Sequence, residues 1–223
     1  MSTASDQLDT QAPEAPDSTE LGAGVSAKAG RARPRPGERR VQILQTLASM
    51  LEQPGAERVT TAALAARLEV SEAALYRHFA SKAQMFEGLI EFIESSIFTL
   101  LNQILEREAS GQAQAQRIVA VLLQFGERNP GMTRVMVGDA LVFENERLFV
   151  RMNQFFDRVE SSLRQCLRQA AEAQGSATPT VQANAQASVL VSFIMGRLQR
   201  YARSGFKRSP TEQLDVVLQW LAF

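Results

Sequence analysis

Side chains able to do covalent chemistry are scarce here: 223 residues contain one histidine, His78, and one cysteine, Cys166. A catalytic triad, a phosphate-binding glycine loop and a metal site each need groups in combinations that this chain does not supply. Cys166 can form no internal disulfide, and its place on an amphipathic helix makes it a packing residue. Catalytic and metal-ligating roles are therefore assigned to no residue, and no cofactor is expected. Another chemistry is concentrated between residues 60 and 82. There Thr60, Thr61, Ser71, Tyr76, Arg77, His78 and Lys82 offer hydroxyls and cations within a short span. Such groups, together with backbone amides at helix starts, make hydrogen bonds and ion pairs to phosphate.

Bulk charge does not explain a nucleic-acid partner, because 24 basic and 24 acidic residues cancel. The distribution is uneven, however. Asp6, Asp9, Glu14, Asp17 and Glu20 make the first stretch acidic; Lys28, Arg31, Arg33, Arg35, Arg39 and Arg40, against Glu38 alone, make the next one basic. Residues 1–37 also hold Pro13, Pro16, Pro34 and Pro36 and almost no large apolar side chains, a composition expected to stay disordered. Its basic end is either a solubilising tail or an accessory to the element that follows. No basic-then-apolar leader opens the chain, and no apolar run approaches the roughly 18–20 residues that cross a bilayer. A cytoplasmic protein without a membrane span is the expectation.

The elements that position the 60–82 groups are helical, with no period-two alternation to suggest a sheet. Leu44, Leu47, Ala48 and Leu51 mark the apolar stripe of a first helix from residue 38, ended by Pro54 and Gly55. Thr60 caps a helix predicted over 61–68, and Ser71 caps one over 72–78. Ser81 and Gln84 match a capping box at the start of a long helix, 82–107. Further helices are expected over 112–128, 132–138, 144–174, 183–203 and 210–221, with stops at 129–131 and 175–179. On 82–107, Phe86, Leu89, Ile90, Ile93, Ile97, Leu100, Leu101 and Ile104 share one broad face. Phe92 lies about 120° from its centre at 100° per residue.

Two short helices joined by a tight turn have the dimensions of a helix-turn-helix, although an αα-corner in any helical protein has the same spacing. The pattern Thr60-x3-Leu64-Ala65-x4-Val70-Ser71-x3-Leu75-Tyr76-x-His78-Phe79-x-Ser81-Lys82 is specific, and it resembles the DNA-binding signature of the TetR family of bacterial regulators. The likeness implies an all-α homodimer. Its divisions would be a tail (1–37), a three-helix helix-turn-helix DNA-binding domain (38–81) and a larger helical dimerisation and partner-binding domain (82–223). Glu69 departs from the family, which often has glycine in the turn; a non-glycine residue at positive φ costs about 1 kcal/mol.

The resemblance also distributes roles. Tyr76, His78 and Lys82 would contact phosphates, joined by the hydroxyls of Thr60, Thr61 and Ser71. Ser71, Glu72, Ala73, Ala74, Tyr76, Arg77 and His78 would face the groove. Ala73 and Ala74 could touch thymine methyls there, and Arg77 a guanine edge. Arg39 and Arg40 would add backbone or minor-groove contacts. With so few hydrogen-bonding side chains on the reading helix, phosphate contacts and DNA shape should do much of the positioning. The last helices carry Phe193, Leu198, Leu214, Val217, Leu218 and Leu221, which either pair with a second copy or close the subunit's own core. Twin readers on a dimer demand a palindromic duplex.

Ser71-Glu-Ala-Ala-Leu-Tyr-Arg-His-Phe79, Leu89-Ile-Glu-Phe-Ile-Glu94, Phe125-Gly-Glu-Arg-Asn-Pro-Gly131 and Ser204-x-Phe206-Lys207 are similar to the nucleoid-occlusion members of the family. That narrower likeness implies a nucleoid-associated protein that also binds the C-terminal tail of the division GTPase FtsZ. The tail would lie near the long helix and the one after it, at Phe92, Thr99, Leu100 and Arg128. Three of these have a second explanation: Phe92 can pack on the DNA-binding domain, Leu100 can belong to the core, and Arg128 can stabilise a helix end. A repressor released from its operator by a small ligand is the competing function, and an enclosed pocket in the C-terminal domain would favour it.

Overall fold

A computed structural model describes residues 37–53 and 58–220, so the tail, Pro54, Gly55 and Leu221 lie outside the described residues. Nine α-helices and one 3-10 turn account for most of the described residues, and no strand occurs among them. Helix α1, Glu38–Leu51, buries Ile43, Leu47 and Leu51. Leu44 and Ala48 are only partly buried, so the buried face keeps Leu47 and Leu51 but turns toward Ile43.

The short helices begin where their caps require. Thr60 Oγ1 accepts from the Ala63 N–H at 3.2 Å to start α2, Thr61–Arg67. Ser71 Oγ accepts from the Ala74 N–H at 3.3 Å to start α3, Glu72–Tyr76. Between them Glu69 has φ 56°, the left-handed conformation expected at this turn. Its N–H donates to Ala66 O and the Val70 N–H donates to Ala65 O, which together form a Schellman closure of α2. Helix α3 stops at Tyr76, two residues early, as His78 and Phe79 both donate their N–H to Leu75 O and Phe79 is buried.

Ser81 Oγ accepts from the Gln84 N–H to open α4, Lys82–Arg107. The return half of the capping box falls one residue upstream, where Gln84 Oε1 accepts from the Ala80 N–H at 2.8 Å. By length and average composition α4 could cross a membrane, with an 18-residue window of mean hydropathy 1.2. The helix holds no long unbroken apolar run, but its average tolerates Ser95, Ser96 and Thr99. The residues Phe86, Leu89, Ile90, Ile93, Ile97 and Leu101 are nevertheless buried in the protein core.

The remaining helices enclose that stripe. Helix α5 is Gly111–Arg128 and α6 is Pro130–Met136. The stop expected at 129–131 holds, since Asn129 leaves the helical region before the proline (φ −130°, ψ 69°) and ends α5 at Arg128. Pro130 then takes the first position of α6, where its fixed φ fits and no N–H is required. Gly131 lies directly on α1, where a Cβ would stand 2.1 Å from Ala48 O. After the 3-10 turn Asp139–Leu141 come α7, Glu146–Ala173, and α8, Pro179–Arg203, which pack side by side more extensively than any other pair. Pro179 again serves as a first-turn proline, so α8 starts four residues earlier than periodicity indicated. Helix α9 is only Leu214–Trp220, because Ser209 and Thr211 hydrogen-bond to the Glu127 carboxylate and hold the preceding segment in a turn. One apolar core runs from Ile43 to Leu214.

Replacing Glu69 by glycine should relieve the left-handed strain at the α2–α3 turn. Urea unfolding is expected to show a gain of about 0.5–1 kcal/mol; a loss of stability would mean that the Glu69 side chain itself supports the turn.

Candidate nucleic-acid interface and partner groove

Helix α3 buries Leu75 and turns Ser71, Glu72, Ala73, Tyr76, Arg77 and His78 outward, while Ala74 is half-buried at its flank. The side chains of Tyr76, Arg77 and His78 make no hydrogen bond or ion pair with the described residues. Thr60 and Ser71 use their oxygens as cap acceptors, which leaves both hydroxyl protons available for a phosphate.

Four other predicted contacts have partners within the protein. Thr61 Oγ1 donates to Glu72 Oε2 at 2.6 Å, tying the first turns of α2 and α3 together. Arg39 donates to Gln42 Oε1 at 2.6 Å. Arg40 donates to His78 O at 3.1 Å, and its guanidinium lies 4.2 Å above the Phe79 ring. Arg40 thus braces the end of the recognition helix against α1, which sequence spacing could not reveal across 38 residues. Lys82 forms an ion pair with Glu144, whose side chain is only 9% exposed, and its ammonium lies 5.6 Å from the Phe86 ring centre. No sequence signal singles out Glu144, since 62 residues separate it from Lys82.

That pair is the first of three along one side of α4. Glu87 pairs with Arg147 at 2.8 Å, and Glu94 with Arg151 through two bonds of 3.1 and 2.6 Å. The Glu94 hydrogen bond is the largest influence raising the Arg151 pKa, against the effect of burial. Together these pairs fasten α4 to the beginning of α7.

A second feature lies where α4 meets α5. Phe92 is 48% exposed, and its ring centre is 6.5 Å from that of Phe125 at a 38° tilt. Arg128 is exposed on the last turn of α5, three residues beyond Phe125, without a partner among the described residues. Thr99 is exposed two turns farther along α4, roughly 10 Å from Phe92 at 1.5 Å per residue. Leu100 is 38% exposed, so it leaves the core face on which the sequence pattern had placed it. Phe125 is half-buried, packs on the core and forms the floor beneath Phe92.

The proposed pairing surface also needs revision. Leu198 and Leu214 are buried in the subunit itself, and Leu198 packs so tightly that a Cβ on Gly126 would stand 2.4 Å from its Cδ2. These two therefore close the subunit core. Phe193 is half-buried beneath the Arg197 guanidinium, and Val217 and Leu218 are half-buried. Exposed apolar groups on the same helices are Val181, Val189 and Met195 of α8 and Val216 and Trp220 of α9, with Trp220 at 83%. Periodicity alone does not say which apolar residues of these helices face outward, because α8 is apolar on more than one side.

Cys166 is buried, and desolvation pushes its thiol pKa up to about 11, so it is a poor nucleophile at neutral pH. A cavity of about 410 Å³ lined by Ser161, Arg164, Gln165, Arg168, Thr180 and Ala183 opens at the α7–α8 surface. Among the described residues no three His, Cys, Asp or Glu side chains cluster to hold a metal ion.

Removing the Glu144 charge while keeping its shape (Glu144→Gln) frees the Lys82 ammonium. Duplex affinity measured by fluorescence anisotropy is expected to rise roughly fivefold, equivalent to about 1 kcal/mol. Unchanged affinity would mean that Lys82 stays with its protein neighbours on DNA.

Comparison with known proteins agrees with this layout. Residues 43–89 match the family described as bacterial regulatory proteins, tetR family, and residues 111–223 match a tetracyclin repressor-like C-terminal domain of the SlmA-like type. The nucleoid occlusion factor SlmA of Photobacterium profundum is 51% identical over 185 residues, covering 82% of this chain and 94% of the relative. That of Vibrio cholerae serotype O1 is 52% identical over 178 residues, covering 79% and 90%. Among solved structures, the fatty acid degradation regulator FadR from Bacillus halodurans superposes with a TM-score of 0.68 at 12% identity, covering 85% of this chain and 97% of that one. The TetR family regulator PfmR from Thermus thermophilus gives 0.65 at 19%, covering 82% and 95%. At such identities the solved structures establish the fold alone.

Proposed function

Because this chain belongs to the TetR family of bacterial regulators, within the SlmA group of nucleoid occlusion factors, we propose that it acts as a homodimer on palindromic chromosomal sites and there binds the C-terminal tail of FtsZ. Bound in this way it blocks division-ring assembly over the nucleoid. Helix α3 enters the major groove, and Tyr76, His78, Thr60 and Ser71 hold the flanking phosphates. Arg39 and Lys82 join them once released from Gln42 and Glu144, while Arg40 acts through the helix end that it braces. Electrostatic contacts of this kind make affinity fall steeply with salt.

A second copy is expected against α8 and α9, where Val181, Val189, Met195, Val216 and Trp220 stand exposed beside the half-buried Phe193, Val217 and Leu218. Burying such a patch between two subunits is the usual way for a soluble protein to remove it from water.

The observation that carries the partner reading is Phe92. A half-exposed phenylalanine set on Phe125 is costly to leave in water and fits the apolar side chains of an extended peptide. Arg128, three residues from Phe125, is placed to pair with an acidic group of that peptide, and Thr99 and Leu100 extend the track along α4. The α7–α8 cavity opens at the surface, and Ile118, Leu122, Val159, Leu163 and Ile194 fill the interior of the C-terminal region, which favours a peptide groove over an enclosed ligand chamber. Coupling between the two partners has a short path, since only five residues lie between α3 and α4. DNA that selects one orientation of α3 also selects a position of Phe92.

Titrating an FtsZ tail peptide into the dimer, with and without palindromic DNA, tests this assignment. Phe92→Ala should weaken the peptide at least tenfold and leave DNA affinity within twofold; Tyr76→Ala should remove DNA binding and leave sedimentation as a dimer intact. Equal loss of both ligands in Phe92→Ala would reduce Phe92 to a packing residue.

A further inference from the structure

Glu72 is an unusual residue for its position. It is exposed at the first position of α3, on the surface assigned above to DNA, where phosphates would repel a carboxylate. The positive end of the helix favours an anion there, but Ser71 already caps α3 through the Ala74 N–H. The carboxylate is also held in place: Thr61 donates to Oε2 at 2.6 Å across eleven residues. One oxygen is thereby held by α2, and the other, Oε1, has no hydrogen-bond partner among the described residues of this exposed side chain. Its neighbours Ala73 and Ala74 have no side-chain hydrogen-bonding groups, so Glu72 is the first side chain of α3 able to distinguish base edges by hydrogen bonding.

We propose that Glu72 determines sequence specificity by reading a cytosine in each half-site, a claim that rests on the DNA-binding function above. Oε1 accepts a hydrogen bond from the exocyclic N4 amine in the major groove, while Thr61 fixes the plane of the carboxylate. Cytosine suits this acceptor because it offers a donor with no acceptor beside it on the same base. Adenine presents N7 next to its amine, thymine presents O4, and guanine presents O6 and N7, all of which repel a carboxylate. The residue therefore acts both by attraction to one base and by exclusion of the others.

Selection from a randomised duplex pool with the full-length dimer tests the proposal, using the unaltered protein, Glu72→Gln and Thr61→Val, each checked for helicity by circular dichroism. The unaltered protein should enrich cytosine at one position of each half-site, over thymine by about five- to a hundredfold. Glu72→Gln keeps the side-chain length but adds a donor and loses the charge, so that position should relax or change while duplexes carrying other bases bind as well or better. Thr61→Val should narrow the cytosine preference without moving it. The same motif with the same preference in Glu72→Gln, or a uniform loss across the whole pool, would overturn the proposal and leave Glu72 as a brace between α2 and α3. If the unaltered protein enriched no duplex, the DNA-binding function would fall together with it.

Discussion

Burial of Phe79 sets the corner on which the rest of the molecule is built. The chain leaves α3 at Tyr76 and enters α4 at Lys82, and within that interval Phe79 is the large side chain removed from water. Its ring lies under the Arg40 guanidinium of α1 and beside Gly88 of α4, where even a Cβ would come within 3.6 Å of it. Fully burying such a side chain contributes on the order of 1.5–3 kcal/mol. Its greater consequence is geometric, because the recognition helix, the brace from α1 and the start of α4 meet at one point. The orientation of α3 is thereby tied to the helix that also carries Phe92.

Around that corner the protein commits many of its charges internally. Arg40 is occupied by His78 O and Phe79, Lys82 by Glu144, and the Thr61 proton by Glu72. Down the same side of α4, Glu87 and Glu94 hold Arg147 and Arg151. These contacts are partly exposed, so each contributes modestly to stability. Their value is positional: they fasten α4 to α7 in one register and leave Tyr76, Arg77 and His78 as the groups of the reading surface without partners among the described residues. A zero net charge is therefore compatible with a nucleic-acid surface, since a few uncommitted side chains at the right place matter more than the overall sum.

Close packing joins the DNA-binding helices to the helices that follow. Gly131 brings the start of α6 onto the backbone of α1 at Ala48. Any side chain at this position would separate α1 from α6, because the clash is with backbone that cannot rotate away. The joint works with the Phe79 corner, since α1 is held from both sides: by α3 and α4 through Arg40 and Phe79, and by α6 through Gly131. The reading helix is thus tied through α1 and its own corner to both α4 and α6.

Much of this architecture was readable from residue order. Helix type and the starts at Thr60, Ser71 and Ser81 are decided within about four residues, because capping and backbone sterics are local interactions. The left-handed turn at Glu69, by contrast, is indicated only by the glycine that the resembled family often has there. The stops at 129–131 and 175–179 hold, but Pro130 and Pro179 also open the helices that follow, which shows the limit of that reading, since a proline ends one helix as readily as it begins the next. Periodicity identifies an apolar face without saying what covers it. Only the tertiary structure could show that Leu198 and Leu214 close the subunit while Met195 and Trp220 face outward, or that Phe125 lies beneath Phe92. Likewise the partners of Arg40 and Lys82 lie 38 and 62 residues away. A side chain's chemical type is present in the sequence, but whether it remains available to a ligand depends on neighbours that only folding brings within reach.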